Sequence, residues 1–264
     1  MLFATDVDST LVYPARTQPA HQPTEPAEIR DGRVPTVAST RLRAALVALR
    51  AAGVTLLPVT ARSHAQLEAL VQLRGARLAI TAAGGRVWRD GEPVAAWDVA
   101  LRRALDGVAT LDQARRLLAR RLARAPWVVG EELVEERLFY LVAPHGELPA
   151  DAEGRARGWL AGAGWTAYAH GRKLYCLPRP MSKEATLGWL ADHLGEPLLA
   201  AAGDSEMDAS LLTTAPAAFC PRNSSLAVSP LLPAHARITV ADCAAAGPEI
   251  VQAVADLARV GAGR

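Results

Sequence analysis

Cysteine is scarce in this chain, and lysine is scarcer still. Three cysteines, Cys176, Cys220 and Cys243, stand among 264 residues. They are too scattered for paired metal-ligand spacing or an even disulfide set, and free thiols suit a reducing compartment. Lys173 and Lys183 are the only lysines, so 27 of the 29 basic residues are arginines. A surplus of one charge is also missing. The 29 basic residues meet 27 acidic ones for a formal net charge of +2, which excludes the basic profile of a dedicated nucleic-acid binder. No run approaches the ~18 apolar residues of a membrane span. The opening MLFATDVDSTL has no basic segment ahead of its apolar residues, and acids interrupt it at once, so no signal peptide is expected. The expectation is a cytoplasmic protein with no nucleic-acid or membrane partner. Half of the residues are hydrophobic, enough for a sizeable core in one large domain or two modest ones.

What is present is an alternation of strand and helix. Leu2–Asp6 reads as a buried strand ending in acid. Residues 14 to 35 are polar and broken by Pro19, Pro23 and Pro26, and read as one long loop. Arg41–Ala52, capped by Ser39 or Thr40, has Leu42, Leu46 and Leu49 at helical spacing. Strand Val54–Val59, helix Ser63–Leu73, strand Arg77–Thr81 and a hairpin around Asp90–Gly91 follow. The middle reads differently, with one long helix over Asp98–Arg124, strand material at Arg137–Val142, a helix over Asp151–Ala161 and a strand pair turning at Gly171. The first rhythm then resumes: helix Lys183–Leu194, strand Leu198–Ala202, helix Glu206–Leu212, strands Ala217–Cys220 and Arg237–Val240, and a helix from Pro248. This pattern predicts a doubly wound parallel α/β sheet interrupted by an insertion.

Four segments carry chemistry, each at the C-terminal end of a predicted strand or the start of a helix, where open α/β sheets place their ligand crevice. Asp6-Val7-Asp8-Ser9-Thr10 puts two carboxylates two residues apart; one can ligate a metal and attack while the other handles protons. A calcium loop is excluded, because an EF-hand counted from Asp6 needs glutamate where Thr17 stands. In Val59-Thr60-Ala61-Arg62-Ser63, a hydroxyl beside free backbone N–H groups suits a phosphate oxygen, although Thr is also a common plain helix cap. Met181-Ser182-Lys183-Glu184 places a rare lysine at a helix start, where the dipole disfavours it; it serves an anion or is a solvated surface residue. Gly203-Asp204-Ser205-Glu206-Met207-Asp208 sets two acids one helical turn apart after a strand, which an N-capped acidic first turn would also do.

Taken together in this order, the four resemble the haloacid dehalogenase superfamily of phosphatases, with Asp6-x-Asp8-x-Thr10, Thr60, Lys183 and Gly203-Asp204-Ser205-x-x-Asp208 as its four motifs. The resemblance implies a Rossmann-like parallel-sheet core over 1–86 and 178–264, with an α/β cap over 87–177 inserted between the second and third motifs. That placement is similar to the branch containing sucrose-phosphate phosphatases and the Cof group, and the chain looks closest to a group associated with tellurite resistance. It implies Asp6 as nucleophile and Asp8 as acid and base. Mg²⁺ would sit on Asp6, Asp8 and Asp204, supported by Asp208, while Thr60, Ala61 and Lys183 hold phosphate. The expected substrate is a small phosphorylated metabolite. Ser9 and Ala83 depart from the branch's usual glycine and Asn-Gly, and Met207 from its usual asparagine.

Specificity is expected from Arg62 and from the glycine turn carrying His170, Arg172 and Lys173. The row Arg116, Arg120, Arg124 reads as a solvated face. The tryptophans of the middle segment are cap core or a sugar-stacking platform. Two other readings compete with hydrolysis: phosphoryl transfer to another acceptor, and metal-dependent binding without catalysis.

Overall fold

The computed structural model describes residues 1–262. All four residues of β1 (Leu2–Thr5) are buried, as a strand covered on both faces requires. A short β2 (Tyr13–Pro14) leads to a hairpin of β3 (Thr24–Arg30) and β4 (Arg33–Ser39). Helix α1 (Leu42–Ala51) returns the chain to β5 (Thr55–Pro58), and α2 (His64–Glu68) precedes β6 (Leu78–Thr81). Strands β7 (Arg86–Arg89) and β8 (Glu92–Pro93) fold back beside β6, followed by α3 (Ala95–Ala104) and α4 (Leu111–Arg121). Next come β9 (Gly130–Val134), β10 (Leu138–Val142), α5 (Ala152–Leu160), β11 (Trp165–His170) and β12 (Lys173–Pro178). The chain then completes α6 (Lys183–Leu194), β13 (Leu198–Ala202), α7 (Ala209–Thr214), β14 (Ala217–Cys220), β15 (Ala236–Ile238) and α8 (Ala246–Ala262).

The central sheet has the order β15-β14-β13-β1-β5 with every pair parallel. From β1 the chain goes one way to β5 and later the other way to β13. That reversal opens a crevice at the strands' C-terminal ends beside β1. Alternate residues feed two cores. Leu2 and Ala4 join Leu187, Leu190 and Leu211 on one face, while Phe3 joins Leu42, Leu49, Ile250 and Val254 on the other. A second sheet, antiparallel in the order β11-β12-β10-β9, forms the cap. Its strand β10 is buried throughout. Phe139 and Leu141 pack into the cap's own core with Trp165 and Leu160, and Leu138, Tyr140 and Val142 face the core domain's cluster. The apolar run LFYLV is thus a strand covered on both sides.

The cap is also tied to the core by polar contacts. In the turn between β9 and β10, Glu135 accepts from the His64 amide at 2.7 Å and the Thr81 hydroxyl at 2.6 Å. Trp88 donates to that same hydroxyl at 2.9 Å, and the His64 ring stacks on Trp88 at 3.8 Å. Beside this turn the backbone approaches so closely that a Cβ on Gly85 would lie 2.7 Å from Cβ of Arg137.

Several local expectations are corrected. The 14–35 segment is not one loop: β2, β4 and β3 form a three-stranded antiparallel sheet there. Pro26 is tolerated because β3 is an edge strand and the β3–β4 register is bulged on both sides of Glu28, while Pro19 and Pro23 lie in the connection before β3. The long helix over Asp98–Arg124 is two helices separated at Gly107, whose φ of +75° no helix continues through. The helix after Thr60 stops at Glu68, and the one at Glu206 begins as a 3-10 turn before α7. Among the described residues no helix is long and apolar enough to cross a membrane.

Candidate active site

The parallel register aligns Thr5 with Ala202, and Asp6 N–H donates to Ala202 O at 2.8 Å. The residues leaving β1 and β13 therefore emerge side by side. This brings Asp6, Asp204 and Asp208 together, with one carboxylate oxygen from each lying within 4.8 Å of the others, all three buried. Gly203 makes the approach possible: an added Cβ would collide with Asp208 Cβ.

Lys183, the first residue of α6, points into this cluster. Its Nζ is 2.5 Å from Asp6 Oδ1 and 2.6 Å from Asp208 Oδ1, and only 4% of the side chain is exposed. The surface reading of this lysine is excluded. Ser182 caps the helix by accepting from the Ala185 amide at 3.1 Å. Asp208 is held at its second oxygen by the amides of Asp204 and Ser205 and by the Ser205 hydroxyl, at 3.2, 3.1 and 2.9 Å. Both Asp208 oxygens are thereby occupied, one by lysine and one by its own loop.

Charge is not balanced within the cluster. Burial pushes the Asp6 carboxyl well above the usual carboxylate range, against the pull of Lys183, and Asp208 and Asp204 add to the rise. Asp204 is raised by burial and by Asp208, with Lys183 opposing. For Lys183, burial works against the charge, yet Asp208 and Asp6 hold it above its ordinary value. Three buried carboxylates against one ammonium leave an excess of negative charge among hard oxygen donors, which suits a divalent cation such as Mg²⁺.

Asp8 belongs to a different network. Arg62 grips it with two hydrogen bonds, Nε to Oδ2 and Nη2 to Oδ1, each 2.8 Å. Burial works to raise the Asp8 carboxyl, and the Arg62 guanidinium outweighs it, leaving the group below its usual value. The remaining Nη1 of Arg62 donates to Glu28 Oε2 at 3.1 Å and to the Gln66 carbonyl at 3.4 Å. Glu28 was not singled out from the sequence; an acid in a proline-rich stretch gave no signal.

Thr60 is buried at the end of β5 and accepts from the Arg62 amide at 3.1 Å. It does not cap α2. Ser63 does, in a reciprocal capping box with Gln66. Thr60 thus keeps its hydroxyl proton available to an acceptor. Ala61 and Arg62 line the crevice, a cavity of about 460 Å³ bounded on the cap side by His170, Arg172, Lys173, Tyr140 and Tyr175. His170 Nε2 lies 3.9 Å from Asp204 Oδ2, so the glycine turn reaches the carboxylate cluster. Lys173 Nζ stands 4.3 Å above the Tyr140 ring, and burial lowers the pKa of this ammonium. Arg172 is exposed. Among the described residues no tryptophan lines the crevice. Trp165 is cap core, and any aromatic platform here consists of the two tyrosines. Arg116, Arg120 and Arg124 are exposed and away from it.

Two departures from the motif pattern fall where the backbone is left-handed. Ser9 has φ +59°, and Ala82 and Ala83 have +49° and +53°. Glycine, which has no Cβ, and asparagine, whose short polar side chain can hydrogen-bond locally, are the usual occupants of such positions.

No protein-family model matches the sequence, and no curated protein does. Solved structures do match. The sucrose-phosphatase from Synechocystis sp. PCC6803, in complex with sucrose and phosphate, aligns over 97% of both chains at a TM-score of 0.66 and 16% identity. A subclass IIB sugar phosphatase of the haloacid dehalogenase superfamily aligns over 98% of both chains at a TM-score of 0.60 and 12% identity. A phosphatase of that superfamily from Bacteroides thetaiotaomicron covers 98% of this chain and 94% of its own at a TM-score of 0.57 and 15% identity. At these identities the likeness is one of fold.

Proposed function

We propose that this chain, which has the fold of the haloacid dehalogenase superfamily phosphatases, is a Mg²⁺-dependent phosphatase acting on a small phosphorylated metabolite such as a sugar phosphate. The observation that carries this reading is the convergence of Lys183 with Asp6, Asp204 and Asp208 at the end of β1. A phosphate monoester and a carboxylate nucleophile are both anions, so an acceptable site must cancel charge and align the attack. The cluster has the groups for both.

Asp6, with the Asp8 carbonyl and Asp204, would hold the metal, which supplies charge neutralisation for the phosphoryl oxygens when bound. Asp208 supports from behind, its oxygens already engaged by Lys183 and the Ser205 loop. In the first half-reaction an Asp6 oxygen attacks phosphorus, the bond from phosphorus to the ester oxygen breaks, and Asp8 gives its proton to that leaving oxygen. In the second, Asp8 takes a proton from water as it attacks the aspartyl-phosphate, and Asp6 is regenerated. Thr60 would donate its hydroxyl proton to a phosphoryl oxygen, with the Ala61 amide and the Lys183 ammonium beside it. For Asp8 to carry a proton, Arg62 must release the oxygen that bears it; its bond to the other oxygen keeps the carboxyl in place, and a substrate oxygen entering the crevice gives the freed N–H another acceptor.

The division of labour follows the fold. Residues 1–86 and 178–264 would form the catalytic core, and the inserted segment 87–177 would select the leaving group through His170, Arg172 and Lys173. The test is a screen of the purified protein against sugar phosphates, nucleotides and phospho-acids with Mg²⁺. Phosphate release that stops in EDTA supports the reading; no release from any substrate overturns it.

A further inference from the structure

Strand β3 buries the wrong residues for an edge strand. Ala27 and Glu28 are consecutive and both buried, while the next residue, Ile29, is 64% exposed. Hydrophobic burial alone would select the reverse. The register explains how it is achieved: the β3–β4 pairing slips on both sides of Glu28, between Pro26 and Glu28 and again between Glu28 and Arg30. Such bulges re-aim a side chain. They turn Glu28 inward at 3% exposure, and an ionised carboxylate taken that far from water needs compensation.

Its partners show why it is there. Arg62 Nη1 donates to Oε2 at 3.1 Å, the Thr36 hydroxyl to the same oxygen at 3.4 Å, and Arg30 Nη2 to Oε1 at 2.6 Å. Arg62 is the guanidinium whose other edge carries Asp8. A guanidinium is planar, so fixing one Nη against a buried acceptor sets the plane in which its remaining donors lie. Glu28 and Asp8 thus occupy two edges of one plate, and Gln66 O at 3.4 Å completes its frame.

We propose that Glu28 is a positioning residue that acts through Arg62 to place the Asp8 carboxyl for proton transfer. The inference rests on the phosphatase reading, in which Asp8 protonates the leaving oxygen. Its consequence is selective. An alkyl ester oxygen needs that proton to depart, whereas p-nitrophenolate leaves readily without it. Misplacing Asp8 should therefore damage alkyl phosphates far more than aryl phosphates. Phosphoryl transfer to Asp6 precedes hydrolysis of the aspartyl-phosphate, so kcat/KM reports the step in which the leaving oxygen departs.

The experiment compares kcat/KM for β-glycerophosphate and p-nitrophenyl phosphate in the wild-type protein, Glu28→Gln and Asp8→Asn, and in the double variant. General acid catalysis contributes about 10²–10⁴-fold, so partial misplacement in Glu28→Gln should cost β-glycerophosphate about tenfold or more and p-nitrophenyl phosphate under about threefold. In the Asp8→Asn background the same substitution should cost nothing further, since residues acting as a unit are not additive. Equal losses on both esters, or full additivity with Asp8→Asn, would make Glu28 a merely structural ion-pair partner and overturn the proposal. Glu28→Gln keeps the side-chain shape, and a circular dichroism spectrum matching wild type establishes that each variant is folded. Should Glu28→Gln unfold, Glu28→Asp, which keeps the charge but shortens the reach to Arg62, must show the same ester-selective loss; without it the proposal fails. A wild-type protein that hydrolyses neither ester nor any substrate of the wider screen would instead defeat the phosphatase reading itself.

Discussion

Lys183 and Asp208 meet at 2.6 Å with side-chain exposures of 4% and 0%, and the same ammonium reaches Asp6. A lysine serving only phosphate would be expendable for folding, and from sequence alone its removal is expected to leave the melting temperature nearly unchanged. The geometry revises that expectation. Removing one partner of a buried ion pair strands the other charge, at a cost of about 3–5 kcal/mol. Lys183→Ala should therefore lose activity and stability together, and Mg²⁺ should restore part of the stability by compensating the stranded carboxylates. Urea unfolding with and without Mg²⁺ measures both; unchanged stability in metal-free buffer would show that the lysine is dispensable to the fold.

Asp6→Asn should abolish turnover while the protein stays folded, because an amide neither attacks phosphorus nor offers an anionic ligand. A loss of more than about 10³-fold is expected for a missing nucleophile. Purified Asp6→Asn protein with activity near wild type would remove Asp6 from the mechanism.

Metal and protons should compete at this cluster. The raised carboxyls of Asp6 and Asp204 mean that the metal-free folded protein binds protons more tightly than the unfolded chain. Their contribution to stability is thus full below the ordinary carboxylate pKa of about 4 and is lost as pH rises through the higher folded-state values. Mg²⁺ binds the ionised form, so the rise in melting temperature on adding it should grow as pH is raised above the ordinary carboxylate range. A shift independent of pH there would place the metal elsewhere.

At the cap, Lys173→Ala should lower kcat/KM on the preferred metabolite by about tenfold or more while sparing p-nitrophenyl phosphate, because a site built to hydrogen-bond one leaving group does not need to hold another. Arg172→Ala should do less, since Arg172 is exposed and Lys173 lies half-buried against Tyr140. Equal losses on both esters would assign Lys173 to phosphate handling.

Ser9→Gly should stabilise the protein by about 0.5–1 kcal/mol, because φ at Ser9 is +59° and the Cβ penalty there exceeds the extra entropy that glycine loses on folding. Thermal unfolding tests it; a destabilised variant would mean that the Ser9 side chain has an unrecognised partner.

The strands of the central sheet are legible because burial on both faces makes them short apolar runs, and those that carry the site, β1 and β13, are followed at once by acids: β13 and β14 lie where the pattern puts them, and α6 begins at Lys183 as expected. Asp6 and Asp204 are readable because each follows a buried strand within two residues, with Asp208 one helical turn beyond Asp204, and Lys183 because it is a rare lysine opening a helix. Glu28 is not. Its burial depends on bulges in β3, and bulges are set by which side chain finds a partner across the crevice, information that no local pattern holds. Of the prolines that suggest a loop, Pro19 and Pro23 do lie in a connection, but Pro26 sits on an edge strand beside those bulges. The split between α3 and α4 leaves no mark in the pattern, because both helices are amphipathic and Gly107 is compatible with either reading until its φ is known.

The clasp formed by Glu135 makes the amide of His64 a reporter of interdomain docking. That N–H opens α2, where a first-turn donor has no helical acceptor and ordinarily bonds to water; here its acceptor belongs to the cap. Its hydrogen–deuterium exchange should accordingly follow the detachment of the cap hairpin rather than fraying of the helix. A single slow amide at that position would give the free energy of cap opening directly, separately from global unfolding.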